Sequence, residues 1–139
     1  MPIELVSRFI VDDDELSALH TRAFGRGGQV TPWRERLQRH ALSWVGAFDA
    51  GRLVGFVQVC WDGGAHAFLL DTAVDPLWQH QGIGRRLVEA AAADARAAGC
   101  HWLHVDFEPH LEEFYLRKCG FRSTPAGLLR LDGGASADS

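Results

Sequence analysis

The sequence predicts an α/β fold of the α+β kind, with one mixed, mostly antiparallel central sheet of six to seven strands flanked by about four helices. Three strand-like runs between Ser43 and Val74 are joined by tight turns, which is typical of an antiparallel meander. An amphipathic stretch from Ile83 to Ala98 then separates two strand-like runs, which indicates a helical crossover and a parallel pair. The 139 residues contain no internal repeat, so these elements predict a single domain over residues 1–131.

The first third of the chain predicts one strand and two helices. Residues 3–10 alternate enough for a first strand, and Asp12–Asp14 then supply a helix start. The apolar positions that follow share one helical face as far as Phe24. After a glycine-rich break, Thr31-Pro32 provides an N-cap and a first-turn proline for a short helix that ends near His40.

The remaining elements follow from the same periodicities. The run Phe68-Leu69-Leu70 is apolar at every position, which predicts a strand buried on both faces and central in the sheet. Gly99 is a natural end for the long helix. The meander strands are predicted at 43–48, 53–61 and 65–74, a parallel strand at 101–107, a last helix from Pro109 to Gly120, and a short strand pair around Phe121 and over 127–131. The small, polar residues 132–139 predict a disordered tail.

Composition narrows the class of protein. With 47% apolar residues, 23% charged residues and a formal net charge of -4, the chain reads as globular, and no basic block supports a nucleic-acid partner. No apolar run is long enough for a membrane span, and the first residues lack the order of a signal peptide, so we expect a cytoplasmic protein. The three cysteines lack C-x-x-C spacing and are expected to be reduced and buried.

The segment Gln79-His80-Gln81-Gly82-Ile83-Gly84 predicts a seat for an anion, because it follows a strand and opens a helix whose first amides have no partner. A nucleoside-triphosphate loop would need Lys and Ser or Thr after the last glycine, where Arg85 and Arg86 stand. A dinucleotide fingerprint would need Gly or Ala where Leu87 stands. A purely structural tight turn remains the alternative.

The order of elements, with Ala73-Val74-Asp75-Pro76, Gln79-x-x-Gly82-x-Gly84, Phe114-Tyr115 and Gly120-Phe121, resembles the GNAT superfamily of N-acetyltransferases over most of the chain. The resemblance implies acetyl-coenzyme A as the donor and no metal. It implies that backbone groups of Ala73 and Val74 pair with the pantetheine arm. It also implies that backbone amides bind the pyrophosphate, namely those of Gln81, Gly82, Ile83, Gly84 and Arg85. The side chain of Arg85 or Arg86 would reach the outer phosphate oxygens.

The resemblance also implies a backbone amide for the carbonyl oxygen, here Val74 to within one residue, and a tyrosine acid, here Tyr115. The family spacing places that tyrosine four residues before the glycine, whereas Tyr115 lies five before Gly120, so a core aromatic is the alternative. Asp71 stands in an apolar run and is a candidate base or a hydrogen-bonded structural residue. Glu108 stands where the family often has an asparagine, and it either orients or deprotonates the amine or caps the helix at Pro109.

The acceptor side is less defined. Trp33, Trp61 and His66 are candidate walls of an acceptor pocket, with core packing or plain surface exposure as their alternatives. His101, His104 and Asp106 lie along one predicted strand. His104 and Asp106 share one face and His101 lies on the other, which leaves too few ligands on either face for a metal site. We expect transfer to a primary amine of a small molecule or peptide, with a non-catalytic acyl-coenzyme A sensor or interaction module as the rival. A homodimer through a C-terminal strand or an exposed edge remains open.

Overall fold

A computed structural model describes residues 2–133 and contains one five-stranded sheet in the order β1-β2-β3-β4-β5. Neighbouring strands are antiparallel except β4 and β5, which are parallel. The predicted meander and the predicted crossover are therefore confirmed. The strands are β1 (Glu4–Ser7), β2 (Ala41–Asp49), β3 (Arg52–Trp61), β4 (His66–Val74) and β5 (Trp102–Val105).

Three α-helices flank the sheet: α1 (Asp13–Phe24), α2 (Trp33–His40) and α3 (Ile83–Ala97). The Asp12 side chain caps α1 by accepting from the Glu15 amide at 3.0 Å, as the aspartate run predicts. In α2 the cap position is Pro32, and no side chain caps the helix, so the predicted Thr31 cap is wrong. Short helical turns at Pro76–Trp78 and Pro109–Leu111 and a π-helix at Glu113–Lys118 complete the helical elements of the described residues.

Two clusters of buried side chains form the core. One lies beneath α3 and includes the fully buried Leu87, and the other lies beneath α1 and α2 and includes the fully buried Phe56. The small residues on α3, such as Ala91 and Ala95, are buried, which allows that helix to pack closely on the strands. The sheet is thus covered by α3 on one side and by α1 and α2 on the other.

Two expectations about strands are wrong. Phe68 and Leu70 are 46% and 45% exposed, so only Leu69 of that run faces the core, and β4 is next to the edge of the sheet. The predicted strand pair after Gly120 is absent among the described residues, which leaves five strands instead of six to seven. Leu128 is 89% exposed, so the apolar run there has no face buried by its own chain. Residues 134–139 of the predicted disordered tail lie outside the described residues.

Candidate functional site

A gap opens at the carboxyl ends of β4 and β5. The two strands pair only from His66 with Trp102 to Leu69 with Val105, while β4 continues to Val74. The register between β3 and β4 leaves two residues of β4, Asp71 and Thr72, opposite a single residue of β3. Asp71 adopts a left-handed conformation, with φ of 58°. Such a bulge bends its strand, and here it accompanies the parting of β4 from β5.

The backbone of Val74 faces this gap. The amide of Asp75 donates to the carbonyl of Val54 on β3 at 2.8 Å. Successive residues of a strand direct their backbone groups to opposite edges, so the N–H group of Val74 points away from β3. In the described structure the carbonyl of Val74 accepts only a long bond of 3.4 Å from Gln79 Nε2. The open edge therefore offers backbone hydrogen-bonding groups to a ligand that lies along β4.

The turn after β4 ends at an uncapped helix. His80 and Gly82 have φ of 64° and 81°, and α3 begins at Ile83. The amide of Arg86 is the first to bond within the helix, to the Gly82 carbonyl, and no side chain caps the start of α3. The amides of Ile83 and the two residues after it thus have no intrahelical acceptor. Unpaired amides and the helix dipole together favour an anion at this position.

The glycines of the turn serve different purposes. Gly82 has a left-handed φ that side chains rarely adopt, and a Cβ atom there would meet nothing within 4 Å. A Cβ atom on Gly84 would lie 3.2 Å from Cζ of Phe114. Gly82 therefore shapes the turn and leaves its outer side open, whereas Gly84 allows the π-helix to pack against the first turn of α3.

Both arginines that follow the turn have partners within the chain. Arg85 Nε lies 3.2 Å from a carboxylate oxygen of Glu89 one helical turn later, and both side chains are largely exposed. Arg86 donates to the carbonyl of Ile3 at 3.1 Å. Arg86 therefore ties the N-terminal segment to α3. Arg85 makes only an exposed ion pair with Glu89, and such pairs contribute little free energy. Arg85 is therefore the more available of the two arginines to bind an anion.

The π-helix accounts for the unusual position of Tyr115. The amide of Cys119 donates to the carbonyl of Phe114, five residues earlier, at 2.9 Å. A π-turn takes up one residue more than an α-turn, so the one-residue offset between Tyr115 and Gly120 is absorbed in the helix itself. Single π-turns within helices frequently mark functional sites.

Tyr115 lies beside the gap. Its ring is 5% exposed and stacks on Phe107 with centroids 5.1 Å apart. Burial raises the pKa of its hydroxyl above the ordinary value of 10.0, and a side-chain hydrogen bond with Thr72 partly opposes that shift. Because Thr72 belongs to the bulge of β4, this contact links the tyrosine hydroxyl to the strand that borders the gap. The hydroxyl keeps its proton at neutral pH and can donate it.

Asp71 is the centre of a polar network that the sequence did not reveal. Its carboxylate lies 3.0 Å from Nε2 of His20 and accepts from Nε2 of Gln58 at 2.6 Å. The His20 ring packs against Phe24 and Trp33, with centroids 4.5 and 5.3 Å away. His20 belongs to α1 and Gln58 to β3, so three elements converge on this carboxylate. The interruption of apolar runs by a polar residue is the only sequence signal that marks either partner.

A family model described as "Acetyltransferase (GNAT) family" matches residues 13–121, which include α1, the bulge, the turn and the π-helix. The chain belongs to the GNAT family of acetyltransferases. The resemblance drawn from the sequence motifs is thereby confirmed, and the turn at Gly82 corresponds to the glycine motif on which that resemblance depended.

Individual relatives agree with this assignment. Serotonin N-acetyltransferase 2, chloroplastic, of Oryza sativa subsp. japonica is 33% identical over 112 residues, which are 76% of this chain and 56% of that protein. The chain spans about half the length of the curated relatives it matches. A Trypanosoma brucei acetyltransferase shares the fold with a TM-score of 0.79 and 22% identity, over 94% of this chain and 99% of that one.

A further GNAT-like fold is that of the aminoglycoside N-acetyltransferase AAC(6')-Iy, solved with a bisubstrate analogue of coenzyme A and acetylneamine. It has a TM-score of 0.78 and 16% identity and covers 94% of this chain and 98% of that one. At this identity the likeness shows the fold. Among residues 2–133 there is no helix whose length and apolar content would let it cross a bilayer.

Three predicted acceptor-pocket residues, Trp33, Trp61 and His66, do not line the GNAT gap. Trp33 is 3% exposed and packs in the core beneath α1 and α2. Trp61 pairs with Ala67 at the far end of β4, where His66 also lies, roughly 26 Å from Val74 at about 3.3 Å per strand residue. Glu108 is exposed, and its side chain does not cap the turn at Pro109.

Two other features complete the surroundings of the site. His66 Nδ1 lies 2.8 Å from Nε2 of His104, but the described residues contain no group of three or more side chains suited to a metal ion. Asp75 has a structural role that the sequence pattern does not indicate. It is 2% exposed, lies 3.0 Å from Arg22 Nε and accepts from the Leu77 amide at 3.0 Å. It therefore fastens the turn after β4 to α1.

Proposed function

We propose that this GNAT protein is an acetyl-coenzyme A-dependent N-acetyltransferase that transfers the acetyl group directly to a primary amine. The observation that carries the proposal is the continuous path from the open edge of β4 at Val74 to the uncapped start of α3 at Gly82. An acyl-coenzyme A needs both parts, because its pantetheine arm has amide groups that pair with a strand and its pyrophosphate needs unpaired donors. Bound there, it supplies an activated acetyl thioester.

Each chemical requirement has a candidate group on this chain. The amide of Val74 donates to the carbonyl oxygen as charge develops on it. Asp71, held by His20, takes a proton from the substrate's ammonium group, which leaves a neutral amine that can attack. The nitrogen–carbon bond forms and the carbon–sulfur bond breaks as Tyr115 donates its proton to the departing sulfur. The surplus proton on the new amide nitrogen then passes to the Tyr115 phenolate, which restores the hydroxyl.

The rival function, a non-catalytic acyl-coenzyme A sensor, was suggested by the spacing of Tyr115. The π-helix explains that spacing, because it takes up the extra residue and leaves the Tyr115 hydroxyl next to the bulge. The structural observation therefore favours an enzyme. Glu108 remains a candidate for orienting the amine, because its exposed carboxylate is not used as a cap.

The test is release of free coenzyme A thiol from acetyl-coenzyme A, measured with a thiol reagent across a panel of amines. The relatives suggest serotonin and an aminoglycoside as members, and simple amino acids and polyamines complete the panel. We expect thiol release that depends on at least one amine, with the acetylated amine identified by mass spectrometry. Saturable binding of coenzyme A without turnover on any amine would support the sensor instead.

A further inference from the structure

A cleft of about 520 Å³ lies between α2 and the strands next to the bulge. Gln58 and Cys60 of β3 and Leu70 and Asp71 of β4 form its strand side, and α2 forms the other side. This volume is typical of small-molecule sites, which measure roughly 300 to 1,000 Å³. Since Asp71 belongs to the bulge, the cleft reaches the strand that borders the GNAT gap.

The strand side of the cleft offers a fixed carboxylate. Asp71 is held by His20 and Gln58, which leaves its orientation defined by two elements besides its own strand. Its side chain is 29% exposed, so a ligand can reach it. Such a carboxylate suits a primary ammonium group, which is the cationic form of the acceptor.

The helix side of the cleft has the opposite charge. Arg36, Arg39 and His40 occur at spacings of three and four residues, so they lie on one face of α2, and all three line the cleft. Glu35 also lines it and pairs with Arg39 at 3.3 Å. Arg36 stacks over the Trp33 ring at 5.1 Å, which restrains its guanidinium without neutralising it. This cationic face is notable on a chain whose net charge is -4.

We propose that the amine acceptor also carries an acidic group, a carboxylate or a phosphate, which Arg36 and Arg39 bind while Asp71 binds the ammonium. The inference rests on the proposed function and adds the substrate class to it. A neutral or purely cationic amine would leave the guanidinium group of Arg36 without a counter-charge, since Glu35 pairs with Arg39. A cationic one would also meet like charge on that side of the cleft. Planar guanidinium groups bind carboxylates and phosphates through paired donors.

The experiment measures binding by calorimetry, with and without coenzyme A, so that it does not depend on turnover. The probes are ω-amino carboxylates, ω-amino alcohols of the same chain length, and O-phosphoethanolamine compared with ethanolamine. Arg36→Ala and Arg39→Ala, singly and together, are compared with Arg34→Ala, which removes the same charge from α2 outside the cleft lining.

On the wild-type protein we expect an acid-bearing amine of fitting length to bind about tenfold more tightly than its neutral partner, as two charge-assisted contacts allow. The double variant should lose this preference, and Arg34→Ala should keep it. Comparing the carboxylate and phosphate probes identifies the acid. Equal binding of acids and alcohols, a preference that survives in the double variant, or no binding of any acid-bearing probe would overturn the inference. Failure of the proposed function is seen separately, as absent thiol release with every amine.

Discussion

Replacement of Gly82 by alanine tests whether the turn before α3 is an anion seat. Gly82 has φ of 81°, and a Cβ atom there would contact nothing within 4 Å, so the cost is backbone strain and not collision. A left-handed conformation costs an L-residue about 1 to 2 kcal/mol, and the lower entropy of the unfolded alanine chain offsets part of that. We expect a net loss near 1 kcal/mol and a Tm lower by roughly 3 to 5 °C.

Gly99 provides a matched control at the other end of the same helix. It has φ of 95°, also has open space where a Cβ atom would stand, and follows the last turn of α3. Gly99→Ala should therefore lower the Tm by a similar amount. Only Gly82→Ala strains the backbone that presents the unpaired amides of the first turn.

The assay is calorimetric titration with coenzyme A, supported by the rise in Tm with coenzyme A concentration. Loss of one charge-assisted hydrogen bond is worth about 1.5 to 3 kcal/mol, so Gly82→Ala should weaken binding at least about tenfold. Gly99→Ala should bind within about twofold of wild type by the same conversion. Equal affinities of the two variants, at equal Tm, would refute the assignment of the pyrophosphate to this turn.

Three further predictions concern neighbouring side chains. Tyr115→Phe should lower kcat by about 10²-fold or more and leave coenzyme A affinity unchanged, and a kcat equal to wild type would contradict the acid role. Because burial raises the pKa of the hydroxyl, the wild-type rate should persist until the hydroxyl ionises above pH 10.0. Asp75→Ala should destabilise by about 1 to 3 kcal/mol in urea unfolding and Asp75→Asn by less, since asparagine can still accept from the Leu77 amide; equal losses would contradict this. Burial raises the pKa of the Cys60 and Cys119 thiols, which lowers the fraction present as thiolate. Iodoacetamide should therefore modify both more slowly than free cysteine at neutral pH, and unfolding should abolish the difference.

The sequence predicted the fold best where periodicity was regular. The long helix after Gly82 and the meander were recovered, because their patterns persist over many residues. The prediction that the strand at Phe68 is buried on both faces was wrong, because an apolar strand near an edge can expose one face, which composition does not show. The strand predicted around Leu128 does not form, since an apolar run becomes a strand only where a neighbouring strand is available to pair with it.

The site itself was predicted in part. The glycine motif locates the turn, because glycine is needed for its backbone geometry whatever surrounds it. The partners of Asp71 could not be derived, since His20 and Gln58 come from elements 51 and 13 residues away in sequence and meet only after packing. His66 was misplaced because its position relative to the bulge depends on strand direction and register, which residue type does not indicate.

Several irregular features of the backbone lie next to the gap, and their proximity is a physical argument that the gap is functional. Four non-glycine residues among residues 2–133 have positive φ: Asp71 lies in the bulge and His80 in the turn, whereas Arg8 and Ala50 lie elsewhere. The π-helix places Tyr115 against the bulge and Phe114 against Gly84 in the turn. Each departure costs free energy, of order 1 to 3 kcal/mol for a strained backbone, and survives only when its neighbours hold it. Here the hydrogen bonds of Asp71 to His20 and Gln58 hold the bulge, and Phe114 packs against Gly84 in the turn. Stability alone would favour regular strands and helices, so a cluster of such irregularities indicates selection for what they place together.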